Sequence, residues 1–165
     1  MIEIRVAPAP RQVDCVSDDP VHKEWENLEI ALAELPVAEV QTYPFVLVSP
    51  QVTVSSAVSL MANRKVGCLI VVEDGKLVGI FTERDVLNKV AEDWERMGET
   101  PVSDVMTARP IFVYENDSAA AALCVMAAMG FRHVPVVNDE MQVVGVVSPR
   151  RALNFVEQHL QEEFD

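Results

Sequence analysis

The chain has 165 residues, half of them apolar, and 26 acidic against 13 basic side chains give a formal net charge of -13. That is enough apolar surface for one ordinary domain or two small units sharing a core. The acidity speaks against a general nucleic-acid binder or a protein adhering to anionic membranes, since both need a basic face, although a local basic pocket for one small anion remains compatible with it.

The N-terminal 36 residues open with Pro8 and Pro10, which mark a loop, and Asp19-Pro20 starts a helix over about 20–35. Val21, Trp25, Leu28, Leu32 and Leu35 fall on one stripe of that helix, and Pro36 ends it. The stripe packs on its own chain or forms a seam with a second subunit. No basic start followed by a long apolar run is present, and no stretch of 18 apolar residues, so neither a signal peptide nor a membrane span is expected. Cys15, Cys68 and Cys124 are scattered and odd in number, as in a reduced, cytoplasmic chain.

From Val37 onward the chain repeats itself. Val37-Ala38-Glu39-Val40-Gln41-Thr42 aligns with Val102-Ser103-Asp104-Val105-Met106-Thr107, and Gly67 to Val72 with Arg132 to Val137. A one-residue insertion between Asn138 and Gln142 then sets Gly79 on Gly145, Thr82 on Ser148 and Asp85 on Arg151. The units divide as an extension over 1–36, a first copy over 37–98 and a second over 99–165.

Each copy reads β-α-β-β-α. In the first, Phe45 to Val48 is extended and Thr53 caps a helix whose buried face is Val54, Ala57, Val58 and Met61. Cys68 to Val72 is a buried strand, Asp74-Gly75 a tight turn, and Leu77 to Phe81 the return strand. Thr82-Glu83-Arg84-Asp85 opens a second helix reaching about Asp93. In the second copy the strands are Ile111 to Tyr114, the run through His133-Val134-Pro135-Val136-Val137, and Val143 to Val147. Asp117 or Ser118 caps its first helix, and Ser148-Pro149 starts its last.

The run from Val66 to Leu87, with Asp104-Val105-Met106-Thr107 and His133-Val134-Pro135-Val136-Val137, resembles a CBS-domain pair, also called a Bateman module, over about residues 37 to 160. The resemblance implies an α+β (α/β-like) fold in which the copies pack through their sheets about a pseudo-twofold axis, with two clefts between them. It implies a ligand such as AMP, ADP or ATP, less often S-adenosylmethionine or NAD, a flat homodimer, and a regulatory role without catalysis. The family's ribose-binding pattern corresponds here to Gly79-Ile80-Phe81-Thr82-Glu83-Arg84-Asp85.

On that pattern the Asp85 carboxylate accepts from two vicinal ribose hydroxyls. Thr82 bonds the sugar or first phosphate, and Arg84 meets phosphate oxygens. The adenine lies in an apolar slot near Val66 and Cys68, with Gln41 or Thr42 on its other side. Arg132 and His133 stand where related modules place phosphate-contacting groups. The alternative use of Thr82 and Asp85 is a helix cap alone. The second copy carries Arg151 where the first has the acid, so Arg150 and Arg151 hold an anion there or are simply solvated.

No GxxxxGK, GxGxxG, HExxH or GxSxG occurs, and no nucleophile, base and orienter assemble in the sequence. Two functions stay open: an adenine-nucleotide sensor signalling through a homodimer or an unidentified regulated protein, and a ligand-independent scaffold with degenerate clefts. A regulatory subunit whose catalytic chain is elsewhere is a third. No metal, nucleic-acid or membrane partner is expected.

Overall fold

The structure is a computed structural model that describes residues 33, 35–40, 45–151 and 154. Apart from Ala33 and Leu35, the helix read over 20–35 lies outside these residues, as do Gln41 and Thr42.

Three strands of the first copy and one from the start of the second form a four-stranded sheet in the order β1-β2-β3-β4: Leu47–Val48, Cys68–Glu73, Lys76–Thr82 and Thr107–Ala108. The second builds a three-stranded sheet, β5-β6-β7: Val113–Tyr114, Val134–Val137 and Val143–Val147. The pairing register repeats with the sequence. Leu69 faces Phe81 as Val134 faces Val147, and the bulge between Val71 and Val72 recurs between Val136 and Val137. Asp74 and Gly75 turn β2 into β3 with φ of 50° and 77°, the left-handed pair a two-residue hairpin needs.

Helix α1, Val54–Arg64, is capped by the Thr53 hydroxyl, which accepts the Ser56 N–H at 3.3 Å. It buries Val54, Ala57 and Met61. The regular helix expected from Thr82 to Asp93 is instead a succession of short turns. An α-turn, α2, Glu83–Asp85, runs into a π-turn over Val86–Val90, a 3₁₀ turn over Ala91–Asp93 and a second short helix, α3, Trp94–Met97. Nothing in Val86-Leu87-Asn88-Lys89-Val90 forbids regular helix, so the widening carries no sequence signal. In the second copy Ser118 caps α4, Ala119–Met129, through the Ala121 N–H at 3.2 Å.

The opening segment of each copy joins the other copy. Pro36 bridges Ser118, the Val37 N–H donates to the Asp117 carbonyl at 2.7 Å, and fully buried Val37 packs in the second core. At the equivalent place Pro101 bridges Thr53, the Val102 N–H donates to the Val52 carbonyl at 2.8 Å, and Val102 packs in the first core. Thr107–Ala108, unrecognised from sequence as a strand, extends the first sheet against Gly79 and Ile80. A third cluster, Cys68, Ile70, Ile80 and Val146, joins the sheets to each other.

Candidate functional site

Of the two clefts between the copies, the larger measures about 260 Å³, just under the range of small-molecule pockets. The start of α2 supplies Thr82, Glu83, Arg84 and Asp85 to its wall; the chain leaving β4 supplies Thr107, Arg109, Pro110 and Ile111; and the turn after α4 supplies Phe131, Arg132 and His133. Thus three arginines converge on one cleft of an acidic chain.

Asp85 is the one buried charged residue among those described. Its Oδ2 accepts the Thr82 N–H at 2.9 Å and the Thr82 hydroxyl at 2.7 Å, while its own N–H donates to Thr82 Oγ1 at 3.3 Å. This is a complete capping box. Its Oδ1 accepts Lys89 Nζ at 2.7 Å and the Thr107 hydroxyl at 3.3 Å. Lys89 Nζ also donates to the carbonyls of Val105, at 2.7 Å, and Met106, at 3.5 Å. The acid is therefore both a cap and a group on a cleft wall.

Arg84 donates to the Gly130 carbonyl at 3.4 Å, across to the second copy. His133 is drawn below its ordinary value of 6.5, first by burial and further by Arg132, with the Glu83 carboxylate pulling the other way. It is accordingly a neutral hydrogen-bonding group at pH 7, not the fixed cation a phosphate contact would use.

A smaller cleft of about 170 Å³ adjoins the first and shares Gly67 and His133 with it. Val66 and Cys68 line this second cleft, with Phe45, Lys65 and Ser148. Their side of the sheet reaches the cleft of Asp85 only through Gly67, which stands between them. The reason is the crossing of the chain: the pieces facing Asp85 come from the other copy, at Thr107 to Ile111 and Phe131 to His133. Burial pushes the Cys68 thiol up to about 12, with Glu83 adding to the shift, so it is an inert apolar group. Arg150 and Arg151 are exposed and line neither cleft, in keeping with the solvated alternative of their reading.

Thr107, Arg109 and Lys89 were missed from sequence. The offset that pairs Thr42 with Thr107 is the signal that could have found Thr107. Among the described residues no group of three or more His, Cys, Asp or Glu side chains is placed to hold a metal, and no helix is long and apolar enough to cross a membrane.

Fold and cleft define a tandem α/β repeat with two clefts between its halves. The CBS domain model matches residues 37–92 and 102–158, and the chain belongs to the CBS domain family, with two domains in tandem. It is 37% identical over 112 residues to the CBS domain-containing protein YhcV of Bacillus subtilis, covering 68% of this chain and 79% of that one. Among solved structures, the CBS domain NE2398 has a TM-score of 0.67 at 29% identity, over 74% of this chain and 98% of that one. CBSX2, solved in complex with AMP, has a TM-score of 0.66 at 25% identity, over 74% of this chain and 96% of that one.

Proposed function

We propose that this chain is a non-catalytic regulatory module that binds an adenosine ligand, AMP, ADP or ATP, in the cleft around Asp85. Occupancy would pass to a second copy of the chain or to a regulated protein. The observation that carries this reading is the buried Asp85 carboxylate on a cleft wall that also gathers Arg84, Arg109 and Arg132. A carboxylate pairs with the ribose diol, and arginines pair with phosphate oxygens through two parallel N–H donors. The similarity to the AMP complex of CBSX2 supports the same ligand class. The exposed Leu87 and Trp94, on the turns after Asp85, are suited to a protein partner.

Calorimetric titration with AMP, ADP, ATP, S-adenosylmethionine and NAD tests the proposal. At least one binds at sub-millimolar concentration, and Asp85→Ala loses most of that affinity. Silence toward all five at millimolar concentration overturns it. A second reading, a scaffold with degenerate clefts, is favoured by one observation: every acceptor position of Asp85 is already met by the protein's own donors. A dimer whose melting temperature ignores saturating nucleotide would decide for it, since a ligand at a hundredfold excess over Kd adds about 2.7 kcal/mol.

A further inference from the structure

A carboxylate has about four acceptor positions. At Asp85 two go to the N–H and hydroxyl of Thr82 and two to Lys89 and Thr107. A vicinal diol needs two of these, so it cannot enter without displacing donors. The two hydroxyls rotate away and can bond elsewhere. The Thr82 N–H is fixed by the helix start. Lys89 alone combines charge with reach: its ammonium spends its three protons on Asp85 Oδ1 and on the Val105 and Met106 carbonyls.

Those carbonyls belong to the crossing segment. Met106 lies against Gly79 and leads into β4, and then into the cleft wall at Arg109 to Ile111. Lys89 thereby ties the seat of the diol to the chain that joins the two copies. Resting on the adenosine-ligand reading above, we infer that Lys89 is a competitive latch: it occupies Oδ1 of Asp85 in the empty cleft, a ribose diol displaces it, and its departure loosens the fastening of the crossing segment at Val105 and Met106. The latch lowers ligand affinity and makes occupancy legible at the junction of the copies.

The test titrates AMP and its 2′,3′-dideoxy analogue into the full-length wild type and Lys89→Met. With the latch gone, Kd for AMP falls at least fivefold, while the analogue, which has no diol to compete, gains nothing. Hydrogen exchange at the Val105 and Met106 amides supplies a second readout. In the wild type AMP speeds it; in Lys89→Met it is fast without ligand and unmoved by it. Lys89→Gln repeats both measurements should the methionine variant fold poorly. If the wild type binds AMP and neither variant binds it more tightly, the latch is overturned and the nucleotide reading survives. If neither wild type nor variants bind AMP or the other four ligands, the nucleotide reading falls and the latch with it.

Discussion

Asp85 caps a helix start with one oxygen and holds an ammonium with the other. Asp85→Asn keeps the shape but loses the charge on both bonds, so it is expected to destabilise the fold by about 1–2 kcal/mol. Urea denaturation with an unchanged m-value would register this as a lower midpoint. His133 predicts a pH dependence. Its folded value lies below 6.5, so the unfolded chain takes up the proton first as pH falls. Its contribution is therefore intact above about pH 6.5 and is lost as pH falls through the lowered folded value. The melting temperature of the wild type should drop more between pH 7.5 and 5.5 than that of His133→Gln; equal slopes would refute this. At this scale the sequence made half the site readable. Thr82, Arg84 and Asp85 follow from one local pattern of spacing. Lys89 stands four residues past Asp85, a helical spacing that offered the pair, and Thr107 shares the repeat offset of Thr42, whereas Arg109 carries no such local signal.

Among the elements, Gly79 carries the tightest constraint. A Cβ there would come within 2.2 Å of Met106 Sδ. Gly79→Ala must displace the Met106 side chain from its seat against β3, at a cost of about 1–3 kcal/mol. Met106→Ala in the same chain removes the clash, so the double variant should be less destabilised than the sum of the single ones, as a double-mutant cycle on thermal melts would report. The strands at Cys68–Glu73 and Val143–Val147, the Asp74-Gly75 turn and the caps at Thr53 and Ser118 were all legible, since apolar runs, turn residues and cap residues are local signals. The two-residue strand Thr107–Ala108 was not, being too short for any period to show. The π-turn over Val86–Val90 was equally silent.

For the whole molecule, a repeat in sequence establishes likeness between copies, not which copy a segment touches. The alignment of Val37 with Val102 was visible; that each lies in the core of the opposite copy was not. Because each core is completed by the opening segment of the other copy, neither copy is whole alone, and unfolding should be cooperative. Val37→Ala and Val102→Ala each remove buried methyl groups, for about 1–3 kcal/mol. Scanning calorimetry should find one transition in the wild type and in each variant, shifted by a similar amount. Two separated peaks in either variant would contradict this.

The second crossing of the chain has little slack. Between Ala108 in one sheet and Val113 in the other stand only four residues, five Cα steps spanning at most about 18 Å. Pro110 fixes one φ, and Arg109 is held at a φ of 48° with its N–H on the Val78 carbonyl. The same stretch is a wall of the larger cleft. Any rotation of one sheet against the other must therefore be taken up in the lining of the cleft. The wall acts as a strain gauge, stretched or slackened by the relative posture of the copies. A partner that turned one copy against the other would therefore change the dimensions of the cleft.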